Sequence, residues 1–440
     1  YGVLSWWDYG HWITVQSQSI PVANPFQQHA KEAANFLLAQ NESQAAGVLS
    51  GLSENDGTPT ETRYVMVDWK MVHTNGNLDP FTQRPEVNGK FFAPTRFYDA
   101  ADVNERDYFR SLFTTRLGSL QQFSYRTQDY YDSMVVRLYK YHGSAKEVQP
   151  IVLNWQRQNY EGNQLPMTPG EDGWAVRTFP NMSAAQAYVD NDPTSQIGGI
   201  GGAPSERVPA LEHYRMVGSS EMEASASGSY QFSELVTAAG VGLNASVIGP
   251  DATCDTDVNL QLRDGRSYCL HQGAEEFMHP KSTEWTKSFE RVPGATIDGT
   301  GPANSNVTAL VEMRNEVTNE TFTYHQRAQT NADGEFTMTV PYSTTGYENW
   351  GPEEGHTNVS VRATGQYEFR ATGTEDGNTT LWSGSTDVTE GAVIGQTDGP
   401  VTVEMEQVQL DQAGDGTSNG SSGNETDGSS GRIAPVVSGL

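Results

Sequence analysis

SWWDYGHWI, residues 5–13, sets three tryptophans, a tyrosine, a histidine and one carboxylate within nine positions. Two readings of such a cluster are open. Trp and Tyr bury large areas and seek partners for their N–H and O–H groups, so the stretch reads as a buried aromatic corner. It reads equally as a pocket in which Asp8 is a charged acceptor between flat apolar walls, a design that grips a hydroxyl or a sugar. His11 reads as a structural histidine in either case.

Outward from this stretch, residues 17–22 suit a short extended piece. Asn24 and Pro25 then precede Phe26, Ala30, Ala33 and Leu37. Asn as N-cap, Pro at the first helical position and the apolar spacing predict an amphipathic helix over residues 25–40. Residues 63–70, RYVMVDWK, are β-branched and aromatic, and predict a buried strand. Further helices are expected over 104–118 and 128–141. Together these define a mixed α/β, mainly helical core over residues 1–145 that carries the aromatic stretch.

A Gly/Pro-rich insertion is expected over 146–226, with VPALEHYRMV, 208–217, returning to the core. Short alternating runs recur later, at 308–313, 322–325, 334–340 and 359–363, with turns such as Asp333-Gly334 between them. They predict a β-rich domain over 227–295 and a β-sandwich- or β-barrel-like domain over 296–410. Residues 411–440 begin with a Gly, Ser, Asn and Asp run and read as a flexible acidic tail. The fold class expected is therefore multidomain: an α/β core followed by β domains.

The chain has 440 residues and a net charge of −28, from 55 acidic residues against 27 basic ones, of which seven are Lys. Acid excess with few lysines suits solubility in strong salt, where self-repulsion is screened. It excludes nucleic acid as a partner, since no basic patch is available to neutralise phosphates. Cys254 and Cys269 leave both a disulfide and two reduced thiols open, and no metal-binding pattern accompanies them. Asp255-Thr256-Asp257 reads as solvated turn chemistry, not as a metal pair. Nine N-x-Ser/Thr sequons fit an exported protein. No apolar run is long enough to span a bilayer. The abrupt start at Tyr1, straight into the aromatic cluster, suggests a piece of something longer.

Trp6-Trp7-Asp8-Tyr9-Gly10 resembles the WWDYG signature of oligosaccharyltransferase catalytic subunits, and Gly10-His11-Trp12-Ile13 continues it in the manner of the archaeal, AglB-type members. At ordinary residue frequencies such a five-residue match arises at about one in a million positions or fewer. The resemblance covers residues 1–145 in layout and extends to 208–225. It implies a metal-dependent glycosyltransferase that moves a lipid-linked, dolichyl-phosphate-type oligosaccharide onto the Asn of N-x-Ser/Thr sequons, at the extracellular face of the cell membrane in a salt-loving archaeon. It further implies that Trp6, Trp7 and Asp8 receive the +2 Ser or Thr, while Tyr9 and Gly10 shape the turn. For a second family element, of the DK or MI type, the MI form, Met-x-x-x-Ile, fits better as Met134-x-x-x-Leu138, which places two apolar side chains on one helical face and reads equally as a plain core-facing stripe. Asp129 is followed by Asp132, so the DK form is not met. The divalent metal, Mn or Mg, the catalytic carboxylates and the lipid-linked glycan site are implied to lie in a membrane region. This chain alone is accordingly expected to be inactive.

The alternative is an exported, non-enzymatic β-sandwich protein, an S-layer, adhesin or carbohydrate-binding component, with SWWDYGHWI as a sugar-stacking platform. Such a platform does not require a leading α/β unit. A glycosidase would need two opposed carboxylates at a defined separation, which sequence alone does not reveal.

Overall fold

The structure, a computed structural model, describes residues 1–55, 61–72, 90–95, 97, 105–116, 119–167, 176–222, 248–250, 259–261, 267–270, 284–375 and 378–408. Cys254, the 255–257 run, three of the sequons and the acidic tail lie outside these residues.

The core is a five-stranded sheet ordered Tyr214–Ser219, Thr286–Arg291, Thr62–Asp68, Gly2–Leu4, Ile20–Pro21. Gly2–Leu4 runs parallel to both of its neighbours, and the two outer pairings through Thr286–Arg291 are antiparallel. Thr62–Asp68, β-branched and aromatic, is the strand expected to be buried and lies in the middle of the sheet, with Val65 and Val67 buried. From the end of the 208–217 stretch, Tyr214–Ser219 joins this sheet. So does Thr286–Arg291, from within the region assigned to a separate 227–295 domain, because its register against Thr62–Asp68 is continuous from Thr286↔Asp68 to Glu290↔Tyr64.

Three helical expectations need correction. The first helix is Ala30–Leu38 and not 25–40. Asn24 Oδ1 accepts the Phe26 N–H at 3.0 Å, a local turn that competes with helix, and His29 sits at φ 54° before the helix begins. Phe26 is consequently 89% exposed, while Ala33 and Leu37 are enclosed. Over 104–118 only Glu105–Tyr108 is helical. Phe109–Arg116 is a strand, paired along its length with Ser119–Arg126. Cross-strand pairing overrode a weak local helical pattern there. Finally, 128–141 is two helices, Gln128–Asp132 and Met134–Tyr141, broken at Ser133 with ψ 137°. The Met134 N–H is drawn to the Ala39 carbonyl at 2.9 Å and Ser133 Oγ donates to the Tyr130 carbonyl at 2.7 Å, so the helical ladder is interrupted by outside partners.

The Gly/Pro-rich insertion is folded. Ser195–Ile197, Ile151–Asn154 and Val176–Thr178 form a small sheet, with helix Met182–Asn191 closing a minor core of Val152, Ala185 and Ile197. The glycine run at 198–202 allows close backbone approach: a Cβ on Gly198 would lie 2.2 Å from the Pro204 carbonyl oxygen.

The later residues form two sheets. One is ordered Glu335–Val340, Ala295–Thr300, Val401–Glu404. The other runs Thr321–Gln329, Asn306–Asn315, Tyr367–Glu375, Asn378–Thr386, Glu406–Val408, with Val361–Ala363 also paired to Asn306–Asn315. Val307, Ala309, Val311 and Met313 alternate inward, and Phe336 meets Phe369 across the two sheets at 6.1 Å between ring centres. These residues and the α/β core share one hydrophobic cluster. They are also tied by charge: Arg215 of the core sheet, buried, binds Glu290 at 2.8 Å and Glu390 of the later unit at 2.7 Å. Burial opposes the charge on Arg215, but its hydrogen bonds to Glu390 and the neighbouring Glu290 outweigh it and hold the guanidinium charged.

Candidate functional site

The aromatic stretch leaves the first core strand and enters a short 3-10 turn, Trp7–Tyr9, that runs directly into helix Gly10–Gln16. Gly10 is where the turn presses on the chain opposite. A Cβ there would lie 2.4 Å from the Ala23 carbonyl oxygen and 2.8 Å from Asn24 Cα, which only glycine avoids. Trp6 is buried, packed against Trp7 at 6.3 Å and edge-on to Phe97 at 5.6 Å. The buried-corner reading therefore holds for Trp6. Trp7, Asp8 and Tyr9 are half-buried and form the accessible part.

Two residues that sequence reasoning did not single out complete this arrangement. Lys90 Nζ lies 2.5 Å from Asp8 Oδ2, 3.3 Å from Tyr9 Oη, and 4.3 Å from the centre of the Tyr9 ring. Asp68, at the end of the central strand, accepts the Tyr9 hydroxyl through Oδ2 and the Met71 N–H through Oδ1 at 2.9 Å. Burial raises the Asp68 pKa above the usual carboxylate range, against the opposing pull of Lys90 and of the Tyr9 hydrogen bond. Burial, with Asp68 beside it, raises the Tyr9 pKa, so the phenol keeps its proton and donates. The only sequence signal for Lys90 was rarity, as one of seven lysines in an acidic chain.

The other side of the turn holds two unpartnered polar atoms. Asp8 Oδ1 and Trp7 Nε1 are both buried, and neither has a hydrogen-bond partner among the described residues. An unpaired carboxylate oxygen and an unpaired indole N–H on adjacent residues are the complement of one hydroxyl group, which donates to the first and accepts from the second. Buried polar groups are nearly always satisfied, so an orphan donor and an orphan acceptor in one turn mark it as a candidate site.

Met134 and Leu138 are enclosed in the core. Both are 0% exposed, in a helix whose eight residues are all buried. They are members of the core cluster and present no surface to a ligand in this structure. Among the described residues no group of three or more His, Cys, Asp or Glu side chains is placed to hold a metal ion, and no helix is long and apolar enough to cross a membrane.

With this geometry in place, comparison with known proteins is direct. The profile described as AglB core domain matches residues 1–72, and that of the archaeal glycosylation protein B long peripheral domain matches residues 294–397. The dolichyl-monophosphooligosaccharide–protein glycotransferase AglB of Haloferax volcanii is 48% identical over 430 residues, 95% of this chain and 37% of that protein. Dolichyl-phosphooligosaccharide-protein glycotransferase 3 of Archaeoglobus fulgidus is 25% identical over 363 residues, 78% of this chain and 33% of that protein. The crystal structure of an Archaeoglobus fulgidus oligosaccharyltransferase in complex with Zn and sulfate shares the fold at a TM-score of 0.51 and 18% identity, covering 92% of this chain and 41% of that one. This chain thus spans about a third of the length of the curated relatives it matches.

These relatives are glycosyltransferases, and the acid-rich, lysine-poor composition suits a salt-loving archaeal member of the class. The chain belongs to the AglB-type oligosaccharyltransferase family. The reading as a non-enzymatic surface protein is not favoured.

Proposed function

We propose that this chain is the part of an oligosaccharyltransferase that reads the +2 Ser or Thr of an N-x-Ser/Thr acceptor, while a lipid-linked, dolichyl-phosphate-type oligosaccharide is held by another part of the enzyme. The acceptor polypeptide meets it at the extracellular face of the membrane. The observation that carries this reading is the pair of orphan groups: Asp8 Oδ1 as acceptor and Trp7 Nε1 as donor. Lys90 fixes the other carboxylate oxygen at 2.5 Å, so Oδ1 is the one turned to the ligand. Tyr9 and Asp68 hold Lys90 and the turn in place.

A +2 residue without a hydroxyl leaves both groups buried and unpaired. Sites of this design discriminate strongly, because the desolvation of each orphan is uncompensated. Trp6 backs the pocket from the core. Met134 and Leu138 contribute, on this reading, by fixing the helix behind it.

A divalent metal, expected as Mn or Mg, is part of the proposed whole-enzyme chemistry, and a structure of similar fold is a complex with Zn. The described residues do not fit it, since they group no ligand set.

The test uses the full-length enzyme and three peptides, N-x-Thr, N-x-Ser and N-x-Ala, with kcat/KM for glycan transfer measured for wild type, Asp8→Ala and Trp7→Phe. The expected result is a loss of about 10²-fold or more on N-x-Thr for Asp8→Ala, with the Thr-over-Ala preference collapsing. A folded Asp8→Ala enzyme that keeps its Thr-over-Ala preference would overturn the reading.

A further inference from the structure

Six of the nine sequons fall on described residues, at Asn41, Asn181, Asn306, Asn319, Asn358 and Asn378. All six asparagines are exposed, so access to the amide does not separate them. What separates them is how firmly the three residues of each sequon are held. An acceptor must be drawn into a transferase's site, and the cost is set by the contacts it gives up locally.

Four are tied down. Asn41 and Asn181 each open a helix, accepting the N–H of Gln44 and of Ala184 through Oδ1, both at 2.9 Å. Glu42, inside the first of these sequons, also accepts the Glu212 and His213 N–H groups at 2.9 and 3.0 Å. Asn306 starts a strand paired on both sides, with Val307 opposite Ala328 and Ala371 and fully buried. In the Asn358 sequon, Val359 is buried and Ser360 binds the Val217 carbonyl through both N, at 3.0 Å, and Oγ, at 2.9 Å.

Two sit at hairpin tips. Asn319, at φ 61°, lies in the turn between Asn306–Asn315 and Thr321–Gln329, and its Thr321 is exposed. Its Oδ1 accepts from Arg314 and its N–H donates to the Asn315 carbonyl, both at 2.8 Å, while Nδ2 has no partner among the described residues. Asn378 opens the strand Asn378–Thr386 opposite Glu375, and its side chain also makes no hydrogen bond among the described residues. Thr380 of that sequon accepts one hydrogen bond, from Trp382 of its own strand at 3.1 Å. Tips are the first places at which paired strands open. Thr321 additionally lines a cavity of about 390 Å³ with Phe322, Thr323, Tyr141 and Ser144, a mix of ring faces and hydroxyls beside which the first sugars of a chain can lie.

We propose that the folded protein is itself an N-glycosylation acceptor, at Asn319 and Asn378, and that Asn41, Asn181, Asn306 and Asn358 are not modified. The inference rests on the functional reading above in one respect, that this chain shares a membrane face with the glycan donor. In the step, Nδ2 attacks C1 of the first sugar of the lipid-linked donor and an N–C bond forms. The bond from C1 to the phosphate oxygen breaks, the lipid phosphate leaves with the electron pair, and the Nδ2 proton passes to base.

The full-length protein produced in a salt-loving archaeal host is the material for the test, with glycopeptides mapped by mass spectrometry and Asn319→Gln/Asn378→Gln as the comparison. Glycan on one or both tips and on none of the four tied sequons is the expected result, and the double variant loses that mass. Bare tips, or glycan on any tied sequon at comparable occupancy, would overturn the proposal. Transfer to an N-x-Thr peptide is assayed on the same preparations. Bare tips on an enzyme that still transfers refute this inference alone, whereas no transfer by wild type refutes the functional reading whatever the tips carry.

Discussion

Lys90 Nζ stands 2.5 Å from Asp8 Oδ2, across 82 positions of sequence, and through this contact one carboxylate oxygen is committed while the other has no partner among the described residues. Lys90→Met removes the only cation bound to Asp8 among the described residues and frees the carboxylate to turn. Transfer to N-x-Thr by the full-length enzyme should fall about tenfold to hundredfold, chiefly in kcat/KM, with Lys90→Arg recovering part of it. A Lys90→Met enzyme with unchanged kcat/KM would show that Asp8 needs no such anchor.

Gly10→Ala places a methyl group 2.4 Å from the Ala23 carbonyl oxygen. Backbone cannot yield as a side chain can, so the turn carrying Trp7 and Asp8 must shift. We expect a stability loss of about 1–3 kcal/mol in denaturant unfolding, accompanied by a loss of transfer larger than that of a surface substitution. Unfolding and transfer both at wild-type level would show that the turn tolerates displacement.

Arg215 is enclosed between Glu290 and Glu390 and links the core sheet to the later β unit. Arg215→Met leaves two buried carboxylates without their shared cation, with Arg63 at 2.7 Å and Thr357 at 2.5 Å still bound to Glu290 and Ser343 to Glu390 at 2.5 Å. Urea unfolding at high salt should show a loss of about 3–5 kcal/mol. Adding Glu390→Leu removes one of the stranded charges and should restore much of it. A double variant no better than the single would place the cost in packing and not in charge.

The Asp132 carboxyl is pushed up to about 6 by burial, outweighing the Gln128 hydrogen bond and Arg137. Its folded pKa thus lies above its ordinary value of 3.8, so between these values the folded chain holds a proton that the unfolded chain has released. Stability from this group falls as pH rises through that window and stays low above it. Asp132→Asn keeps the acceptor for Gln128 and removes the charge. It should raise the melting temperature near pH 7, with the gain closing as pH is lowered towards about 4. A gain of equal size at both pH values would trace the effect to something other than ionisation.

The sequence by itself determined the local and periodic features: the WWDYG turn with its family resemblance, the central strand at Thr62–Asp68, and the alternation that became Asn306–Asn315, Thr321–Gln329 and Glu335–Val340. Side-chain period and turn chemistry act over a few residues, so they are written where they act. Tertiary structure decided what depends on a distant partner. Phe109–Arg116 became a strand because Ser119–Arg126 pairs with it, and Ser133 broke a helix because the Ala39 carbonyl took the Met134 N–H. Thr286–Arg291 joined the core sheet across more than two hundred intervening residues. Likewise the site: Asp8 and Trp7 were legible in the motif, but Asp68 and Lys90 carry no local pattern and gain their meaning only when folding brings them to the same turn. Long-range contacts are selected by the summed packing of the whole core, a quantity that no short window of sequence contains.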